Sequence, residues 1–146
     1  MPLPRLLLVQ GDLRERLRTV ALLSADYDVL LPALGEEPLK AARRLRPELA
    51  LLCLAPYKPM ANLQLCRILK TDLGAIRAIG IWAPDGQPGA EEVLQHYLAD
   101  GYLGGNGDLR AFLAALARGE RPCMEGEPPP GLRARIRRYL VRGAGR

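Results

Sequence analysis

The most constraining feature of this sequence is residues 49–54, LALLCL, a run in which every side chain is apolar. A strand with one face in water alternates polar and apolar residues, whereas a continuous apolar run indicates a strand covered on both faces. Such strands belong to parallel sheets that have helices on either side. The run therefore predicts the centre of an α/β fold, with Cys53 close to the end of its central strand.

Four other short apolar segments alternate with amphipathic ones along the chain. Further strands are predicted at residues 5–10, 29–31, 78–83 and 101–103. A helix is predicted after each strand, and caps are expected at Asp12, Asn62 and Asp108 for the first, third and fifth helices. Five strand–helix repeats predict an α/β doubly wound, five-stranded parallel sheet with right-handed crossovers over residues 1–118.

Two of the predicted helices carry apolar residues at the spacing of a buried face. In the first helix these residues are Leu13, Leu17, Val20 and Leu23, and in the fifth helix they are Leu109, Phe112, Leu113 and Leu116. Residues three and four positions apart lie on the same side of a helix. Both sets are therefore expected to lie in the core.

The composition excludes several classes of protein. No apolar run approaches the roughly 18 residues that a membrane span requires, and the run before Asp12 is too short for a signal peptide. The three cysteines, Cys53, Cys66 and Cys123, and the single His96 have no metal-ligand or redox-motif spacing. We expect a cytoplasmic protein with no membrane span, no metal site and no cofactor.

The net charge of +5 comes from the end of the chain. Residues 131–146 hold six arginines and no acidic residue, which leaves 15 basic and 16 acidic residues before them. These arginines are Arg133, Arg135, Arg137, Arg138, Arg142 and Arg146. Any attraction to an acidic partner is therefore expected from this segment rather than from the body of the protein.

A linker rich in Pro, Gly and Glu is predicted at residues 119–131, and a basic helical tail at residues 132–146. Leu132, Ile136 and Leu140 align along one side of the predicted tail helix. Three interpretations of the tail stay open: it binds nucleic-acid phosphates, it lies on an anionic membrane surface, or it packs on protein. The tail is too short to form a helix-turn-helix domain, so sequence-specific DNA binding is not expected.

Four segments, in this order, resemble the response-regulator receiver family. LLLVQGD resembles its first strand and acidic cluster, and GEEPLKAARRLRPELALLCL resembles its second helix and third strand. AIGIWA resembles the fourth strand and ADGYLGG the fifth, so the resemblance covers residues 4–118. It implies a flavodoxin-like sheet of order 2-1-3-4-5, with the functional site at the carboxyl ends of strands 1 and 3.

At the positions that carry phosphoryl chemistry in that family, this sequence has other residues. The phosphorylated aspartate falls on Cys53, and the two metal-binding acids fall on Gln10 and Gly11. The switch hydroxyl residue falls on Trp82, and the lysine falls on Gly105. Acyl-phosphate formation requires a carboxylate nucleophile and Mg²⁺, which prefers oxygen ligands. The resemblance is therefore to an atypical pseudo-receiver that is neither phosphorylated nor an enzyme.

We expect a phosphorylation-independent module that acts by protein–protein interaction in two-component signal transduction or transcription regulation. The resemblance implies that its partner or homodimer surface lies on helix 4, strand 5 and helix 5, with Tyr102, His96 and Phe112. Tyr102 has an alternative role as a residue that caps the core with its hydroxyl in water. Two other functions stay open: a nucleic-acid-associated transcription regulator that uses the tail, and a thiol redox sensor that uses Cys53.

Cys53 and Trp82 each have two interpretations. Cys53 is either the thiol of such a sensor or a small residue that fills the former site. Packing is favoured, because no basic residue or second cysteine lies beside Cys53 in the sequence. Trp82 either plugs the vacated phosphate pocket or anchors a partner at the surface, and the plug is favoured.

Overall fold

Six strands and five helices alternate along residues 2–54, 59–72 and 76–125, the part of the chain that this computed structural model describes. The strands are β1 Arg5–Val9, β2 Asp28–Leu30, β3 Leu49–Cys53, β4 Ala78–Ala83, β5 Gly101–Gly104 and β6 Cys123–Glu125. The helices are α1 Leu13–Leu23, α2 Pro38–Leu45, α3 Pro59–Asp72, α4 Ala90–His96 and α5 Leu109–Ala117. Each of the strands β1 to β5 is followed by a helix.

All six strands run parallel in one sheet of order β2-β1-β3-β4-β5-β6. The predicted α/β doubly wound sheet and its order 2-1-3-4-5 are confirmed. The central place of β3 is also confirmed, since it pairs with β1 and β4. The carboxyl ends of parallel strands meet at one edge of the sheet, so the loops that follow β1, β3, β4 and β5 lie at that edge.

The predicted strand count is wrong by one, because β6 adds a strand outside β5. Its residues lie within the segment 119–131, which we predicted to be a linker. They pair in register with Tyr102, Leu103 and Gly104 of β5, and the Tyr102 N–H donates to the Pro122 carbonyl at 2.9 Å. Three residues after a proline give too little apolar pattern for a strand to be predicted.

The residues of β3 are buried along its whole length. Two apolar clusters lie on opposite faces of the sheet. One cluster joins the sheet to α2, α3 and α4, and the other joins it to α1 and α5. A parallel strand that is covered by helices on both sides needs apolar residues at every position, which explains the unbroken run at residues 49–54.

Phe112 of α5 packs against the sheet at a place where two glycines lie side by side. Gly80 of β4 and Gly101 of β5 are register partners, and a Cβ added to them would lie 2.7 and 3.0 Å from atoms of the Phe112 ring. The ring is fully buried there. The prediction that Phe112 lies on the inner face of the fifth helix is confirmed, and the prediction that it lies on a partner surface is wrong.

Two of the three predicted helix caps are confirmed. The Asp12 carboxylate accepts from the Glu15 N–H at 2.9 Å, and the Asp108 carboxylate accepts from the N–H three residues further on at 3.1 Å. Each bond satisfies an N–H group that has no partner within the helix. Asn62 does not cap α3, because that helix already begins at Pro59.

The predicted buried face of α1 is only partly buried. Leu23 is fully buried, whereas Leu13 and Leu17 are each 59% exposed. Only Val20 and Leu23 of the four join the cluster that α1 shares with α5. Helical spacing identifies the side of a helix that faces the core, but it does not show where the core ends along that helix.

A largely buried ion pair joins α3 to the start of β5. The Lys70 ammonium donates to both carboxylate oxygens of Asp100, at 3.0 and 2.9 Å. The same carboxylate accepts from the Ile79 N–H of β4 at 2.8 Å. These charge-assisted bonds offset the cost of removing the carboxylate from water, and they hold β4, β5 and α3 together.

The basic tail predicted at residues 132–146, with all its arginines, lies outside the described residues, and so do residues 126–131 of the predicted linker. Within the described ranges, no helix is long and apolar enough to cross a membrane.

We predict that Gly80→Ala destabilises the fold by about 1–3 kcal/mol, because the added methyl group would overlap the buried Phe112 ring. Urea unfolding followed by circular dichroism measures the change. Gly11→Ala is the matched control, since no atom lies within 4 Å of its Cβ position. Equal stabilities of the two variants would contradict the packing of Phe112 against the sheet.

Candidate functional site

The site that the sequence predicts lies where β1 and β3 end at the same edge of the sheet. Gln10 follows β1 directly, and Cys53 is the last residue of β3. Both side chains are buried, and Gln10 Nε2 lies 3.8 Å from Cys53 Sγ, within hydrogen-bonding distance of sulfur. The structure therefore brings these two predicted site positions into contact.

Burial controls the chemistry of the Cys53 thiol. The loss of solvent raises the pKa of Cys53 to about 12, although the hydrogen bond from Gln10 acts in the opposite direction. The carboxylates of Glu15 and Asp85 raise the pKa further. A thiol with this pKa is protonated at neutral pH, so it is a poor nucleophile and a poor metal ligand.

Asn62 also belongs to this site, a role that its position in the sequence does not predict. Its Nδ2 donates to the carbonyl oxygen of Cys53 at 2.8 Å, so it ties the first turn of α3 to the end of β3. The bond gives a backbone carbonyl a partner at the point where the chain leaves the sheet. The sequence signal was a polar residue at the start of a helix, and we interpreted it as a cap.

Trp82 is the β4 residue that pairs with Cys53. Its indole is half-buried and packs on the apolar cluster that α1 and α5 share with the sheet. Its carbonyl accepts from the Leu54 N–H at 2.8 Å, while its indole Nε1 is buried with no hydrogen-bond partner among the described residues. An indole that packs on the core in this way favours a filling role for Trp82 over that of a surface anchor.

The two glycines of the predicted site differ in their surroundings. Gly105 follows β5, is buried, and donates its N–H to the Ala83 carbonyl at 3.0 Å. Its φ of +63° lies in the left-handed region, where a lysine would be strained and a glycine is not. Gly11 is exposed, and no atom lies within 4 Å of its Cβ position. Neither position offers a side chain for chemistry.

The residues at this corner do not fit the magnesium ion that receiver chemistry uses. Mg²⁺ requires several oxygen ligands, among them carboxylates. Gln10 offers one amide oxygen, Gly11 offers no side chain, and Cys53 offers a protonated thiol. Asp12 is already engaged as the cap of α1. In the described part of the chain, no three acidic, histidine or cysteine side chains form a group that could hold a metal ion.

Tyr102 does not lie on the predicted partner surface. It is 1% exposed, and its hydroxyl donates to the Pro88 carbonyl at 3.0 Å. Both earlier interpretations, contact with a partner and a hydroxyl in water, are therefore wrong. The reason is that Tyr102 points into the cluster shared with α2, α3 and α4, while β6 covers the edge of its strand. His96 is exposed at the end of α4, and its role in partner binding stays a prediction.

No protein-family model matches the chain, and no curated protein sequence matches it. A solved structure that matches is the solution structure of a response regulator protein from Burkholderia multivorans. The match covers 95% of this chain and 95% of that chain, with 20% sequence identity and a TM-score of 0.42. The strand order and the helix positions define the fold by themselves.

We predict that Cys53 does not react with a chromogenic disulfide reagent in the folded protein. At a pKa of about 12, about one thiol in ten thousand is ionised at pH 8, and the thiolate is the reacting form. Cys66 is also buried with a pKa raised to about 12, whereas Cys123 is exposed. Spectroscopic titration should detect one reactive thiol in the folded protein and all three in denaturant.

Cys123→Ser is the control for this titration. It should remove the fast reaction of the folded protein and leave two thiols that react only in denaturant. Rapid modification of Cys53 in this variant would contradict the buried geometry and would support the redox-sensor interpretation.

Proposed function

We propose that this protein is a phosphorylation-independent signalling module of the receiver type, which is not an enzyme and acts by binding another protein. The parallel sheet and its strand order provide the receiver-like scaffold. The positions that would carry phosphoryl transfer hold Gln10, Gly11, Cys53, Trp82 and Gly105. In this proposal the module contributes a binding surface rather than a chemical step.

The contact between Gln10 and Cys53 is the observation that carries this proposal. A neutral amide lies 3.8 Å from a protonated thiol where phosphoryl chemistry needs carboxylates and a metal ion, and both groups are buried. A phosphoryl group needs cations or hydrogen-bond donors around its oxygens. Without new contacts of that kind, phosphorylation has no means of shifting a conformational equilibrium.

The partner surface that we propose is formed by α4 and β6 rather than by β5. Among the described residues β6 is the edge strand, and an edge strand leaves backbone N–H and C=O groups available for pairing. The groove beside it is acidic on balance, which favours a basic partner or a basic segment of a second copy. Its exposed side chains are Glu91, Glu92, Gln95, His96 and Glu125.

We predict that beryllofluoride with Mg²⁺ leaves the amide spectrum of the full chain unchanged. The reagent mimics a phosphoryl group on a carboxylate, and Cys53 offers no carboxylate to hold it. Two-dimensional ¹H–¹⁵N NMR measures the response, and intact mass after treatment with acetyl phosphate provides a second readout.

A phosphorylatable receiver domain, treated in the same buffer, shows that both reagents are active. Saturable shifts centred on the ends of β1 and β3, or a phosphate adduct on this chain, would contradict the proposal. A small uniform shift that Mg²⁺ alone reproduces would be a salt effect and would leave the proposal in place.

The arginine-rich segment favours a second candidate function, that of a nucleic-acid-associated transcription regulator. Residues 131–146 contain six arginines and no acid. Arginines neutralise phosphates and release counterions, which supplies affinity without sequence recognition. The rest of the chain, with 15 basic and 16 acidic residues, offers no such excess.

We predict that deletion of residues 132–146 abolishes salt-dependent binding to heparin and to DNA. The deletion removes the excess positive charge of the chain. Each lost phosphate contact makes the dependence of log affinity on log salt concentration less steep. The salt concentration at elution and titrations at several salt concentrations measure this. Replacement of the tail arginines by lysine keeps the charge and should keep the binding. Elution of the full-length and truncated chains at the same salt concentration would exclude nucleic-acid binding through the tail.

Thiol redox sensing has less physical support than either function above. A sensor thiol is exposed and has a lowered pKa. Cys53 is buried and its pKa is raised to about 12. The neighbour of its sulfur is the neutral amide of Gln10 rather than a cation, so nothing at that contact stabilises a thiolate by charge.

A further inference from the structure

A cavity of about 480 Å³ opens beside the corner formed by Gln10 and Cys53. It lies between α1 and the segment that joins β2 to α2. Val9, Gln10 and Cys53 form its closed end, since each is only 7% or 8% exposed. The volume is within the range of small-molecule binding sites.

Four leucines around this cavity are exposed to water. Leu13 and Leu17 of α1 are 59% exposed, Leu31 is 37% exposed, and Leu34 is fully exposed. Single exposed leucines are common on protein surfaces, but four around one cavity form an apolar surface of the kind that marks binding sites. A bound molecule would remove this surface from water.

Two polar side chains of the cavity have hydrogen-bonding capacity that the described residues do not use. The Oε1 of Gln10 is buried and has no hydrogen-bond partner in the described part of the chain. Arg16 is half-buried and forms no ion pair with a described residue. The other charged residue of the lining, Glu36, is held by Arg44 at 2.7 Å and by the Ala33 N–H at 2.9 Å. The cavity therefore has one unused acceptor buried behind its closed end and one cation on its α1 wall.

The charges of α1 decide which kind of molecule fits. The helix carries Arg14, Arg16 and Arg18, and its only acid is Glu15. A second copy docked by two-fold symmetry would bring the same arginines together, and the basic segment 131–146 would add further arginines. An anionic molecule with an apolar body has the opposite charge to Arg16 and also covers the leucines.

We propose that this cavity binds a small amphiphilic carboxylate. Its carboxylate contacts the Arg16 guanidinium, its apolar body lies against the exposed leucines, and a hydroxyl or amide group donates to the Gln10 Oε1. The terminal torsion of a glutamine is soft, so the amide oxygen can turn toward the ligand. Such a site would give the protein a small-molecule input. It goes beyond the function proposed above, since it requires no partner protein.

The probe is 8-hydroxyoctanoate, which has a carboxylate, an unbranched apolar chain and a hydroxyl donor. Titration of the full chain, followed by ¹H–¹⁵N NMR, is expected to give saturable shifts in residues 9–17 and 31–36. Arg16→Gln should weaken binding about tenfold, because a hydrogen bond between opposite charges is lost. Arg14→Gln on the same helix keeps the same net charge as that variant and should change the affinity by less than about twofold.

Two further comparisons test the apolar wall and the closed end. Leu17→Ser should weaken binding, whereas Leu22→Ser should not, because Leu22 is exposed on α1 but does not line the cavity. Octanoate lacks the hydroxyl and should bind more weakly than the hydroxy acid. Equal affinity of the two acids would overturn the assignment of Gln10 as an acceptor.

Several outcomes would overturn the proposal as a whole. One is the absence of saturable shifts. Another is that 1,8-octanediol binds as tightly as 8-hydroxyoctanoate and Arg16→Gln has no effect, which would indicate nonspecific hydrophobic binding only. Self-association that Leu17→Ser abolishes would show that a second copy covers the cavity. Shifts of residues 9–17 on deletion of residues 132–146 would show that the tail covers it. None of these outcomes depends on beryllofluoride, so the two proposals can fail separately.

Discussion

The chemistry of the functional corner depends on the burial of β3 between two layers of helices. Because every residue of this strand is covered, its last residue, Cys53, is buried where the strand reaches the cavity. Removal of water favours the neutral form of a thiol, so the strand that organises the sheet also sets the protonation state of the corner. An aspartate at the same place would need compensating charge, and the Gln10 amide supplies none.

Short-range signals in the sequence predicted most of the scaffold. The unbroken apolar run at residues 49–54 identified the central strand, and Asp12 and Asp108 marked the starts of two helices. Each of these signals depends on residues only a few positions apart, so it can be recognised without knowledge of the tertiary structure. The resemblance placed Gln10 and Cys53 at the carboxyl ends of neighbouring strands, and the structure brings the two side chains into contact.

The features that the sequence did not predict depend on distant segments. The space that holds the Phe112 ring exists only when Gly80 and Gly101 lie opposite each other on neighbouring strands. That register is a property of the assembled sheet. Leu13 and Leu17 have the spacing of core residues, yet the core ends before it reaches them. The roles of Asn62, which binds the end of β3, and of Arg16, which lines the cavity, likewise required the positions of helices relative to strands.

The sixth strand also determines where the remainder of the chain begins. Because β6 runs parallel to the other strands, its last residue, Glu125, lies at the same edge of the sheet as Gln10 and Cys53. Residues 126–131 therefore connect the arginine-rich segment to this edge. A short connection keeps a tethered segment at an effective concentration in the millimolar range around its point of attachment. If the arginines bind a ligand as in the second candidate function, this connection would hold that ligand near the loops at the carboxyl ends of the strands.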